Sequence, residues 1–297
     1  MESIINNIKK GDFRVFNDLL GIHKKEEIYE RVPGEMKDYL LHYTAYFDND
    51  IGAFTKHLIN EYNFDVNVSN KNGVTPLMYA ISQKRIETAK ILILDKKLNV
   101  NVKDNDKQTY LHYMINAQLY DLAEFFLDKK KDKINLSIKD HKGRNSFFLA
   151  CDTKTPSLSL LTKLLKRGSD VNSCLNNGIT ALMQSIIKDN KKSFEFLLKN
   201  RADIDYLDDD NESAVHKAVR SDDRDYLSSL LMKAPDLTIR AGEKMLTPLM
   251  LSLELNNIVY FRMIDKIKHD KSIVNKDGKD INQIKMSKSY IDMLQLF

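Results

Sequence analysis

The ten residues KNGVTPLMYA at 71–80 recur along the chain at a near-constant interval. NNGITALMQS at 176–185 is a close copy. KQTYLHYM at 107–114, ESAVHKAV at 212–219 and MLTPLMLS at 245–252 are looser ones, and DYLLHYTA at 38–45, GRNSFFLA at 143–150 and GKDINQIK at 278–285 are degenerate. Aligning the Thr position brings together Tyr39, Thr75, Thr109, Asn145, Thr180, Ser213, Thr247 and Asp280, at spacings of 36, 34, 36, 35, 33, 34 and 33 residues. So constant a period restricts the chain to a stack of supersecondary units, each burying its apolar face against its neighbours.

The local chemistry of one unit is readable. Asn72-Gly73 is a tight-turn pair, since Gly accepts positive φ without steric cost. Thr75 suits an N-cap, and Pro76 suits the first helical position, where no amide hydrogen is needed. Leu77 opens an apolar face and Ala80 permits close packing. A second helix follows, seen in AKILIL, AEFFLD, TKLLKRG, FEFLLKN and YLSSLLMK. Gly168 stands where such a helix would be C-capped. An extended finger then closes the unit: FDVNVSN, LNVNVKD, INLSIKD, SDVNSCL, ADIDYLD, PDLTIRA.

These features resemble the ankyrin-repeat family, whose unit of about 33 residues carries T-P-L-H-x-A. Thr75-Pro76-Leu77 and Thr247-Pro248-Leu249 match that pattern directly, and His42, His112 and His216 fall on its His position. Asp65-Val66-Asn67, Asn99-Val100-Asn101 and Asp170-Val171-Asn172 are similar to its finger. The resemblance spans residues 35–285. Unit four departs from it, with Phe147-Phe148 in place of Leu-His and extra residues around Thr155-Pro156. The resemblance implies an all-α ankyrin-repeat solenoid of seven to eight helix–turn–helix units, with β-turn fingers and degenerate caps. Residues 1–34 are read as N-terminal capping helices, with Ile4, Ile5 and Ile8 on one helix and Val15, Phe16, Leu19 and Leu20 on the next. Residues 35–276 hold repeats starting near 35, 71, 105, 141, 176, 209 and 243, and 277–297 form a C-terminal capping unit ending in YIDMLQLF.

Composition narrows the function classes. Across 297 residues, 46 basic and 42 acidic side chains nearly balance, so the concentrated basic face of a nucleic-acid binder is not expected. The dense run Lys129, Lys130, Lys131 and Lys133 falls between a helix and a finger and reads as a solvated loop. No apolar stretch reaches the length of a membrane span, and no secretory leader is recognisable. Two cysteines, Cys151 and Cys174, fit a reducing compartment, and their spacing is not that of a structural zinc site. A cytoplasmic or nuclear location is expected, or the host cytoplasm for a pathogen effector.

No phosphate-cradling loop, nucleophile elbow, zinc-protease or kinase string occurs. The resemblance implies that His42, His112 and His216 tie neighbouring turns by hydrogen bonds. Asp208-Asp209-Asp210-Asn211-Glu212 lacks the Gly and Glu that a helix–loop–helix calcium site needs, and reads as an exposed tip. Cys151 reads as a small buried thiol. No catalytic residue, cofactor or metal is expected.

The resemblance places the partner face on the turn tips and inner helices, on the concave side. The candidates are Tyr46 and Phe47 in unit one, Lys71, Asn72 and Gln83 in unit two, and Asp106 and Gln108 in unit three. Unit four contributes Lys142 and Arg144, unit five Asn177, Ile179 and Lys188, and unit six Asp209, Asp210, Glu212 and Arg220. Tyr46 and Phe47 are either interface anchors or packing for the N-terminal unit. Basic tips in unit four and acidic tips in unit six suggest a bipolar partner, with charge reversal at either tip expected to leave the melting curve unchanged. The expected role is a monomeric, non-enzymatic protein-binding scaffold, an adaptor or a competitive inhibitor. A host-directed pathogen or viral effector is one alternative, and a regulatory subunit or an enzyme hidden in the array is another.

Overall fold

The fold is described from a computed structural model, over residues 1–32, 34–48, 52–130 and 133–285. Lys131 of the lysine run and the YIDMLQLF segment lie outside the described residues. The described residues form helices and no sheet, with isolated bridges at Arg31–Tyr39, Cys174–Thr180 and Ala241–Leu246.

The helices divide between two compact units. The first comprises Met1–Ala150 with Ser159–Ser169. It contains α1 (Glu2–Lys10), α2 (Phe13–Ile22), α3 (Lys25–Tyr29), α4 (Leu40–Phe47), α5 (Ala53–Tyr62), α6 (Pro76–Ser82), α7 (Ile86–Leu94), α8 (Tyr110–Asn116) and α9 (Tyr120–Lys129), with most of α10 (Ser146–Cys151) and α11 (Leu158–Lys166). The second unit comprises Cys151–Leu158 and the residues from Asp170 on. It contains α12 (Ala181–Ile187), α13 (Lys191–Lys199), α14 (Ala214–Arg220), α15 (Arg224–Leu231), α16 (Pro248–Glu254), α17 (Ile258–Asp265) and α18 (Ile281–Lys285).

Each inner helix starts for a reason written in its first four residues. Thr75, Thr180 and Thr247 cap α6, α12 and α16, their hydroxyls accepting from the amides of Met78, Met183 and Met250. Pro76 and Pro248 occupy the first turn. In α4, α8 and α14 a histidine takes over, its Nδ1 accepting the N-cap amide of Tyr39, Thr109 or Ser213. Inner helices end in left-handed residues at Lys84, Gln118, Asp189 and Asn256. The next amide reaches back into the helix, as from Arg85 to Ala80 (2.7 Å) and Asn190 to Ser185 (2.7 Å).

The apolar positions at this period are core. Leu77, Leu111, Leu182, Val215 and Leu249 of the inner helices are buried, with the outer-helix positions Leu92, Phe126, Leu164, Leu197 and Leu230. At the N-terminus Ile4, Ile5 and Ile8 pack with Phe16 and Leu20. Val15, expected on that face, is exposed, because α2 buries only the positions one turn apart. Gly168 is left-handed at the end of α11, as its C-cap placement requires. Between α10 and α11 the extra residues of unit four form a loop. The Cys151 carbonyl there accepts from Asn190 Nδ2 (3.2 Å) and Ser193 Oγ (2.6 Å).

Two ladders link neighbouring repeats inside each unit. The first joins tip to tip through backbone alone: Lys71 N to Met36 O, Asn105 N to Asn72 O and His141 N to Asp106 O in the first unit. Asp209 N to Asn177 O, Gly242 N to Asp210 O and Lys276 N to Lys244 O repeat it in the second, all at 2.9–3.1 Å. The approach is close enough to exclude a side chain: a Cβ on Gly178 would stand 2.9 Å from Asp208 Cα, and one on Gly73 3.0 Å from Asp104 Cα. The second ladder uses finger amides. Asn67 donates to Lys97 O (2.9 Å) and accepts from Asn99 N (2.7 Å); Asn101 does the same with Lys133 and Asn135.

Candidate protein-interaction surface

Four tips are each organised by one buried acceptor side chain. Asn70, Asp140 and Asp208 each take two backbone amides on one Oδ1, from the residues two and four positions on, at 2.8–3.1 Å. Asp104 Oδ1 takes Gln108 N at 2.7 Å. These short-range side-chain bonds curl the tip and satisfy its backbone amides locally. The sequence reading missed this position. Its signal was the recurrence of Asn or Asp five residues before the helix cap, at 70, 104, 140, 208 and 275.

That geometry corrects two expectations. Asp208 and Glu212 are not exposed tip charges: both are buried. Lys217 Nζ lies 2.7 Å from Asp208 and 2.5 Å from Glu212, and Arg220 Nη2 donates to Glu212 Oε1 at 2.8 Å. Burial alone would push the Glu212 carboxyl up; the hydrogen bonds from Lys217 and Arg220 outweigh it and hold the group below its ordinary range. Arg144 is likewise not a free basic tip. Its Nε and Nη2 donate to the buried Asp140 at 2.9 and 2.7 Å, closing a pair inside its own turn.

The other candidates fall into two groups. Lys71, Asn72, Asp106, Lys142, Asn177, Asp209 and Asp210 are exposed at tips, and all of them but Lys142 have a backbone atom held in the ladder. Gln108 and Ile179 are half-buried at the base of theirs. Gln83 and Lys188 are exposed C-caps of α6 and α12, and Arg220 is the exposed last residue of α14. Lys188 also pairs with Asp152 at 2.7 Å. Lysines 129 and 130 are less free than a solvated loop suggests: Lys129 lies over the Phe125 ring and Lys130 Nζ donates to Asp95 O.

In the second unit the inner-helix ends open a groove of about 880 Å³. Ile186 and Ile187 of α12 form one wall, Lys217 and Arg220 of α14 another, and Asp222, Asp223 and Asp225 the rim. Ile187 is 52% exposed there. Tyr226 closes the floor, its hydroxyl donating to Asp189 at 2.8 Å. The paired state of Lys217, Arg220 and Glu212 makes this an electrostatically satisfied wall, in place of a set of convergent reactive groups.

In the first unit, Tyr43, Tyr46, Phe47 and Tyr79 cluster with Asp38 and His42 around a smaller hollow of about 220 Å³. Phe47 also leans on the N-terminal core, with Lys9 of α1 5.4 Å from its ring centre, so part of its surface serves packing. Tyr79 and Asp38 were missed by the sequence reading; the clue was Tyr43, Tyr79 and Tyr113 standing four residues after successive caps.

The three repeat histidines are structural. Nε2–H donates to Val74 O from His42 (2.9 Å), to Arg144 O from His112 (2.8 Å) and to Leu246 O from His216 (3.3 Å). Burial depresses all three, His216 to about 4, with the accepting carbonyls partly opposing the shift. Burial pushes the Cys151 thiol well up, away from nucleophilic character. Among the described residues no helix is long and apolar enough to cross a membrane, and no cluster of His, Cys, Asp and Glu is arranged to hold a metal.

The chain is similar to known proteins over most of its length. A family model described as ankyrin repeats (3 copies) matches residues 8–104, 41–140 and 147–241. The crystal structure of the ankyrin repeat domain of Bcl-3, a member of the IkappaB protein family, is 20% identical with a TM-score of 0.65, over 77% of this chain and 100% of that one. A chain from the complex of the Bdellovibrio bacteriovorus predatory endopeptidase Bd0816 with immunity protein Bd3460 is 26% identical with a TM-score of 0.55, over 65% of this chain and 97% of that one. With the repeating cap, the histidine bridge and the tip ladder in place, the protein belongs to the ankyrin-repeat family.

Proposed function

We propose that the chain is a non-enzymatic protein-interaction module that acts by occupying a partner, as an adaptor or a competitive inhibitor. The observation that carries the reading is the division of labour at the tips. A backbone amide or carbonyl of Lys71, Asn72, Asp106, Asn177, Asp209 and Asp210 is bonded to a neighbouring repeat, while the side chains of these residues and of Lys142 face solvent. A rigid backbone carrying variable exposed side chains suits recognition at low entropic cost. The family, generally an interaction module, supports the same reading. So does the similar chain found in an endopeptidase–immunity protein complex, which favours the inhibitor role.

The test is affinity purification with mass spectrometry, run side by side on the wild-type chain and the Asp209→Lys/Asp210→Lys variant. A specific partner recovered by the first and depleted with the second, at unchanged melting temperature, supports the proposal. A partner set identical for both places recognition elsewhere.

A further inference from the structure

We propose that the hollow formed by Asp38, Tyr43, Tyr46, Phe47 and Tyr79 is a receptor for an arginine side chain of the partner. This rests on the protein-interaction reading and adds the chemistry one part of the partner must have.

Four aromatic rings from α4 and α6 surround the space. Tyr46 meets Tyr79 edge-on, with centroids 5.6 Å apart, and Tyr43 stacks along Phe47 at 6.5 Å. Asp38 supplies a carboxylate at the same hollow. Its Oδ1 accepts from Asn70 Nδ2 at 2.8 Å, and the Tyr79 hydroxyl is 3.4 Å away. No lysine or arginine of the described residues lies within ion-pair distance of it, so a half-buried negative charge is held by neutral donors only. His42 contributes no opposing charge, since burial holds its ring neutral and both nitrogens are engaged with backbone.

Aromatic faces and an uncompensated carboxylate together select a cation. The chain shows the preference itself: Arg31 lies 5.3 Å from the Tyr39 ring at the start of α4, and Lys9 lies 5.4 Å from Phe47 at its end. Among the described residues no cation sits over Tyr43, Tyr46 or Tyr79. Arginine fits better than lysine. Its guanidinium is weakly hydrated, stacks flat on aromatic rings and hydrogen-bonds a carboxylate along its edge, whereas an ammonium gives up more hydration than one carboxylate returns.

The experiment uses the full chain and four blocked pentapeptides, acetyl-Gly-Gly-Xaa-Gly-Gly-amide, with arginine, citrulline, lysine or trimethyllysine at the centre. Saturation-transfer NMR and titration read binding. Citrulline keeps the shape of arginine without its charge, so arginine is expected to bind about tenfold more tightly than citrulline. Asp38→Asn should bring arginine down to the citrulline level, and Tyr46→Ala should weaken arginine binding, each with the melting curve retained. Equal signals from arginine and citrulline overturn the proposal. So does an arginine preference that survives Asp38→Asn, or tighter binding of lysine or trimethyllysine. A chain that still captures its tip-dependent partner while ignoring the arginine peptide refutes the receptor alone; loss of tip-dependent capture refutes the interaction reading instead.

Discussion

The Nε2–H of His112 donates to the carbonyl oxygen of Arg144 at 2.8 Å, across 32 residues of sequence. His42 and His216 make the same bond to the following repeat. Each ring does this only while neutral, because its Nδ1 must accept the cap amide.

Acid should therefore unlock the array. The ordinary histidine value is 6.5 and the folded values lie below it, to about 4 for His216. The unfolded chain binds more protons in that interval, so stability is full above pH 6.5 and falls as pH drops toward 4. His216 alone contributes on the order of 3 kcal/mol to this loss. Urea midpoints from pH 7.5 to 4.5 should fall steadily, and His216→Gln should flatten the profile. A wild-type midpoint constant over that range contradicts the mechanism.

Truncating the tetrad leucines should be costly. Leu77 and Leu182 are buried to 0% and 1% exposure between stacked helices. Leu77→Ala and Leu182→Ala are expected to lose roughly 2–5 kcal/mol each. Denaturant melts showing less than about 0.5 kcal/mol for both, the level of a surface change, do not fit a packed tetrad.

The tip glycines should separate from the cap glycine. Gly178 and Gly168 share positive φ, at 76° and 87°. A methyl on Gly178 meets Asp208 backbone at 2.9 Å, while one on Gly168 meets nothing within 4 Å. Gly168→Ala should cost about 1 kcal/mol for the left-handed backbone alone. Gly178→Ala should cost clearly more, because backbone on both sides must shift. Equal thermal shifts for the two variants count against the close approach.

Charge reversal should divide along burial. Asp209→Lys with Asp210→Lys is expected to leave the melting curve in place. Arg144→Glu should lower it, since the change sets a second carboxylate against the buried Asp140. Glu212→Ala leaves Lys217 with Asp208 alone and removes the partner of Arg220, and should also destabilise, by about 1–3 kcal/mol. If Arg144→Glu melts like wild type, the pair with Asp140 carries no weight.

The repeat, its caps and its core were legible because they are local: Thr75 caps a helix three residues away, and Leu77 recurs at one fixed offset. The fate of each charge was not. Asp208, Asp209 and Asp210 are identical in composition, yet the first is buried under two amides and Lys217 and the others face water. Which is which depends on the curl of the tip, a three-dimensional fact. The hollow at Asp38 was hidden for a similar reason, since Tyr43 and Tyr79 are 36 residues apart and meet only when α4 and α6 stack.

The tip ladder has a consequence for how such a chain changes over generations. An amide and a carbonyl are the same atoms whatever residue bears them, so the bonds from Asn105 to Asn72 and from Asp209 to Asn177 are blind to the side chains beside them. A codon altered at 106 or 210 rewrites what the surface greets without disturbing what holds it up. Lineages of this chain can thus drift quickly at the tips while the tetrads beneath stand still, and new partners arrive by single steps through folded intermediates.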